Sequence, residues 1–159
     1  MRTIILGMGN PILCDDAVGI RLARELVAQL PDRPGIDIIE ECTSGGLNLL
    51  DLVSGYDRLV VFDSIKTEGG RPGAWHAMTG ESFRETMNLT NVHDANFTTA
   101  LELGRRMGAH IPSPENIHIF AVEIADNTTF SESMTTELES AFPRYSREII
   151  HQALLLLGS

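Results

Sequence analysis

Short runs of branched aliphatic residues recur along this chain, and between them the apolar residues fall at helical spacing. That alternation leaves few architectures open. It calls for a layered α/β fold, with the runs as strands of a parallel sheet and the helices packed on its faces. The first strand is expected over Thr3–Leu6, before Gly7, Gly9, Asn10 and Pro11 break the pattern. Val18, Leu22, Leu26 and Leu30 then repeat at intervals of four, as one face of a helix that Pro31 and Pro34 end. Further strands are expected at Ile36–Glu40, Leu59–Phe62 and Ile117–Val122, with an antiparallel one at Ala74–Met78. Helices are expected near Leu47–Val53, through Phe97, Ala100, Leu101 and Met107, and over Thr135–Leu157, where Pro143 should kink or restart the helix. The segment Glu81–Asn91 is polar and carries no periodic signal. The expected fold is three-layer α/β, a single, mostly parallel, twisted sheet flanked by helices (phosphorylase/hydrolase-like), with residues 1–159 as one domain.

Composition narrows the function. With 159 residues, 43% of them hydrophobic, the chain can bury a core without disulfides or a structural metal. Cys14 and Cys42 make no disulfide framework and no CxxC thiolate pair, and they read as small packing residues. The formal net charge of −10 opposes a phosphate backbone, so nucleic acid is not an expected partner. No apolar run approaches the roughly 20 residues of a membrane span. The first residues read as a strand and not as an export signal, so a cytoplasmic protein is expected.

In open α/β sheets ligands bind beyond the carboxyl ends of the strands. The residues there are Gly7–Asp16 after the first strand, Thr43, Ser44 and Gly45 after the second, Asp63 after the third, and Glu123 and Asp126 after the last. His93, in a loop ahead of a helix, could face the same rim. Two carboxylates and an imidazole form an incomplete set of ligands for a divalent metal. Each also has an ordinary structural use. Acids at a helix start cap it, and Asp15 is assigned that role. Asp63 ends the most hydrophobic strand, where a carboxylate must be hydrogen-bonded or functional. His76, His110, His118 and His151 have no acidic motif beside them and are read as structural.

Gly7-Met8-Gly9 after a strand invites a dinucleotide reading, but the third glycine of that fingerprint is replaced by Ile12. An acidic helix start would also repel a pyrophosphate. Gly7-Met8-Gly9-Asn10-Pro11 resembles the opening of peptidyl-tRNA hydrolases as well, yet no histidine lies between Ile12 and Leu30. A longer resemblance covers nearly the whole chain. Gly7–Gly19, with G-x-G-N followed by the acidic pair Asp15-Asp16 and a glycine, is similar to the N-terminal signature of hydrogenase maturation endopeptidases. Thr43-x-Gly45, Leu59–Asp63, Val92-His93-Asp94, Ala121-Val122-Glu123 and the following Ser131–Thr135 resemble that family's later motifs, in order. The chain departs from the pattern at Glu41-Cys42, where many members carry glycines, at Val92, and in having Asp-Asp where some relatives have Asp-Glu.

The resemblance implies that Asp16, Asp63 and His93 converge on one metal position; with two acids and no activated nucleophile present, the same three are read as catalytic, Asp16 or Asp63 serving as general base to a water. It implies a nickel ion supplied by the substrate and not permanently bound. It also implies a nickel-iron hydrogenase large-subunit precursor as the partner, losing its C-terminal extension to a monomeric endopeptidase. The rival expectations are a non-enzymatic nickel-sensing or chaperone module on the same site, and a peptidyl-tRNA hydrolase-like esterase.

Overall fold

The computed structural model describes residues 1–43, 47–82 and 92–158, without the side chains of residues 47 and 92–96. Five strands form one sheet in the order β2-β1-β3-β5-β4. They are β1 (Thr3–Met8), β2 (Ile36–Cys42), β3 (Arg58–Ile65), β4 (Trp75–Thr79) and β5 (Ile117–Glu123). The first three and β5 pair in parallel, and β4 closes one edge antiparallel to β5. The strands thus run one or more residues beyond the apolar cores that signal them. The helices are α1 (Val18–Gln29), α2 (Leu47–Val53), α3 (Val92–Arg106) and α4 (Thr136–Gly158). No helix among the described residues is long and apolar enough to cross a membrane. The turn expected at Thr43–Gly45 lies, after Thr43, outside the described residues, as do positions 83–91 of the polar segment.

Strand alternation divides the core in two. Ile5, Val60, Phe62, Phe120 and Val122 face one side and pack under Val18, Leu22 and Leu26 of α1 and Leu138, Tyr145 and Ile149 of α4. Ile4, Leu6, Leu59, Val61, Ile117 and Ile119 face the other, under Leu49 and Val53 of α2 and Leu101 of α3. Central strands buried on both faces are apolar at every position, which is why β1 and β3 read as unbroken runs. Each fully buried aliphatic side chain contributes about 1.5–3 kcal/mol. Helix α4 runs through Pro143 without an interruption.

Glycines bring α1 onto the strand ends. A Cβ on Gly19 would stand 2.4 Å from the carbonyl oxygens of both Met8 and Phe62. A Cβ on Gly7 would stand 2.3 Å from the Glu40 oxygen, at the point where the β1–β2 register slips by a residue. Gly9 has φ +144 and lies against the Asp16 backbone. The G-x-G motif and Gly19 are therefore a packing device. They let a helix start rest directly on the carboxyl ends of β1 and β3.

Candidate active site

From β1 the chain passes to β2 on one side, and β3 then forms on the other side of β1. The crevice between β1 and β3 is thus the point where the winding reverses, the usual ligand position of such sheets. The loop after β1 carries Asp16 to this crevice, and Asp63 lies inside β3, two residues before its end and not beyond it, because pairing with β5 continues to Ile65. Gly7 pairs with Phe62, so Asp63 comes level with Met8.

Asp16 is held from two directions. Its Oδ2 accepts the Asn10 N–H at 2.9 Å, and its Oδ1 accepts the Ser64 hydroxyl at 2.8 Å. The Ser64 N–H donates to Asp63 Oδ1 at 2.7 Å. One serine therefore hydrogen-bonds both predicted carboxylates. Both are partly exposed. Carboxylate oxygens are hard ligands for a divalent cation and acceptors for a water.

Asp15 has a different place from the one its position in sequence implies. It does not cap α1. That helix follows a 3-10 turn, Cys14–Ala17, and neither start has a side-chain cap. Asp15 is fully buried and accepts the N–H groups of Ala125, Asp126 and Thr135 at 2.7–3.0 Å, with the Thr135 hydroxyl at 3.0 Å from both oxygens. It supports the start of α4 and the loop after β5. The signal is absent from the sequence because the partners lie more than a hundred residues away.

The other rim carboxylates are engaged locally. Asp126 accepts the N–H groups of Thr128 and Thr129 and their hydroxyls, which hold its carboxyl well below the usual range. Glu123 is buried. It accepts the N–H and hydroxyl of Thr67 at 3.2 and 2.6 Å, and lies 3.3 Å from His76 Nε2. His76 thus has an acidic partner, contrary to the sequence reading, and so does His110, 2.9 Å from Asp57 Oδ1. Both partners come from neighbouring strands or loops, where no local motif could reveal them. Cys14 is buried at φ 52, and burial, with Asp15 beside it, pushes its thiol upward, away from a nucleophilic thiolate.

His93 falls in the first turn of α3, not in a loop ahead of the helix, and its side chain lies outside the described residues. The described residues bring Asp16 and Asp63 together through Ser64. Among them no group of three or more His, Cys, Asp or Glu side chains is placed to hold a metal. The crevice can hold a cation or orient a water with two hydrogen-bonded carboxylates.

Comparison with known proteins gives one consistent answer. The family model described as hydrogenase maturation protease matches residues 20–152, which takes in Asp63 and His93 and begins just after the acidic pair. The hydrogenase 2 maturation protease of Escherichia coli K12 is 32% identical over 83 residues, 51% of this chain and 49% of that protein, so the alignment spans about half of its length. The hydrogenase expression/formation protein HupD of Rhizobium leguminosarum bv. viciae is 24% identical over 144 residues, 89% of this chain and 69% of that protein. Among solved structures, the hydrogenase maturating endopeptidase HybD from E. coli superposes with a TM-score of 0.76 at 20% identity, covering 94% of this chain and 90% of that one. The [NiFe] hydrogenase maturation protease HybD from Thermococcus kodakarensis gives 0.71 at 21% identity, covering 96% and 99%. At that identity these structures speak for the fold, and the three-layer sheet agrees with them. With the family match extending over most of its length, the chain belongs to the hydrogenase maturation protease family.

Proposed function

We propose that this protein is an endopeptidase that removes the C-terminal extension of a nickel-loaded hydrogenase large-subunit precursor. The observation that carries the reading is the Asp16–Ser64–Asp63 arrangement at the β1–β3 crevice, in a chain of this family. In this reading Asp16, Asp63 and His93 meet the nickel that the precursor brings with it. The chain itself keeps no resident metal. Carboxylate and imidazole donors suit nickel, and the contact exists only when the ion has been inserted, so cleavage is conditional on loading. Holding the ion also places the scissile bond beside the two acids, a proximity effect. Asp16 or Asp63 takes a proton from water, the resulting hydroxide adds to the peptide carbonyl, and the C–N bond breaks with the proton passing to the departing amine. The enzyme acts as a monomer in the cytoplasm, on a protein substrate and not on nucleic acid.

The test is to incubate the protein with a large-subunit precursor, with and without nickel, and to follow the precursor's mass. A short tail lost only from the loaded precursor supports the reading. Asp63→Asn should slow that cleavage by at least a hundredfold, on the scale of losing a general base. Normal rates in that variant would sink the assignment of Asp63. Binding of loaded precursor without cleavage, for every client tried, would favour a sensing module.

A further inference from the structure

The loop between β5 and α4 presents Phe130, 80% exposed, and the loop after β1 presents Ile12, 47% exposed. A parallel bridge joins Leu13 to Ser131, so the register one step back sets Phe130 beside Ile12. The Ser131 N–H donates to the Ile12 carbonyl at 2.9 Å and the Cys14 N–H to the Ser131 carbonyl at 3.0 Å. Both loops are fastened below by Asp15, which takes N–H groups at Ala125, Asp126 and Thr135. An aromatic ring held in water by a loop with this many hydrogen bonds is not a fraying tip. With Ile12 beside it, the ring leaves an apolar pair open to a partner. The knob also adjoins the candidate site. Ile12 lies in the loop whose Asn10 N–H holds Asp16, and its own N–H donates to Asn10 Oδ1 at 3.1 Å.

We infer that the Ile12–Phe130 knob docks the folded body of the precursor, in an apolar recess bordered by Lys and Arg. This rests on the endopeptidase reading above. Two features choose the occupant. The backbone at Ile12 and Ser131 is already hydrogen-bonded within the protein, so an extended tail cannot add there as a strand, and recognition must run through side chains. The two loops, residues 9–17 and 124–135, contain no Lys or Arg, while Glu132, two residues after Phe130, is exposed, as is Glu137 in the first turn of α4. A basic rim on the partner is complementary to this, and a second copy of the same acidic surface would be repelled.

The test compares wild type with Phe130→Ser, Ile12→Ser and Glu132→Lys on nickel-loaded full-length precursor, with cleavage followed by mass. Phe130→Ser should raise KM on the order of tenfold, as for an interface aromatic, with kcat within twofold. Glu132→Lys should raise KM at low salt, and the difference should fade as salt rises. Melting temperatures should not change in any of the three variants, because these side chains lie outside the core. Wild-type cleavage with unchanged KM in Phe130→Ser overturns the docking surface and leaves the endopeptidase reading intact. Absence of wild-type cleavage removes both. An equal loss in Phe130→Ser on a short synthetic tail peptide assigns the knob to the tail, and a wild-type dimer that Phe130→Ser dissociates assigns it to self-association. Either result overturns the inference.

Discussion

The Ser64 hydroxyl donates to Asp16 across 48 residues of chain, while the same residue's N–H donates to Asp63. The backbone bond survives substitution by any residue but proline, and the hydroxyl bond is lost on substitution by alanine. Ser64→Ala should therefore leave Asp63 in place and release one side of Asp16. The expected cost is about 0.5–1.5 kcal/mol in stability for one hydrogen bond. Cleavage should slow about tenfold or more through loss of orientation. Urea denaturation and single-turnover cleavage, run on the same variant, separate the two effects.

The adjacent acids should separate cleanly. Asp15→Ala leaves the N–H groups of Ala125, Asp126 and Thr135 without their acceptor in a buried place, and should cost about 2–4 kcal/mol. Asp16→Asn keeps a partly exposed acceptor of the same shape, and should retain the melting temperature while losing cleavage. Denaturation of both variants decides it; equal losses of stability would contradict the division between a rivet and a reactive acid.

Gly19 carries the approach of α1 to the sheet. Gly19→Ala would normally favour a helix, yet here the methyl meets two carbonyl oxygens at 2.4 Å. The backbone must move, at a cost of about 1–3 kcal/mol or more, and the crevice between β1 and β3 opens with it. Gly158→Ala, where an added Cβ meets nothing within 4 Å, is the comparison. It should be neutral or slightly stabilising, and thermal melts of the pair test the contrast.

His118 provides a pH dependence. Burial, aided by the positive charge of Arg58, holds its imidazole below the ordinary 6.5. The unfolded chain therefore takes up the proton more readily than the folded one. Stability from this residue is complete above pH 6.5 and is lost as pH falls through the lower, folded value. His118→Gln should flatten the stability profile on the acid side of 6.5, as measured by denaturation between pH 7 and about 5.

The legible part of the molecule was the part written locally. Branched runs such as Leu59–Phe62 announce buried strands, and Gly7, Gly9, Asn10 and Pro11 announce the break after the first. Asp63 is found by being a carboxylate at the end of such a strand. Asp16 and Asp63 are placed on one rim because each follows a strand run, and the carboxyl ends of parallel strands share an edge. What escaped was contact at long range. Ser64 is an ordinary serine until β3 is laid beside β1. Asp15 resembles a cap for the helix that follows it, and instead holds Thr135, 120 positions on. His76 gains Glu123 only when β4 turns back along β5. No period or motif encodes such pairs, since each depends on which strands become neighbours.

The bonds of Asp15 also set a timetable. Its last partner, Thr135, is synthesised when most of the chain is already complete. Until residues 125–135 are made the carboxylate lacks the donors that hold it, and cannot be buried at a tolerable cost. The 3-10 turn that carries Asp16 therefore settles late, after the slow closure of a very long loop. A nascent chain still short of α4 has both acids written in it and no assembled crevice.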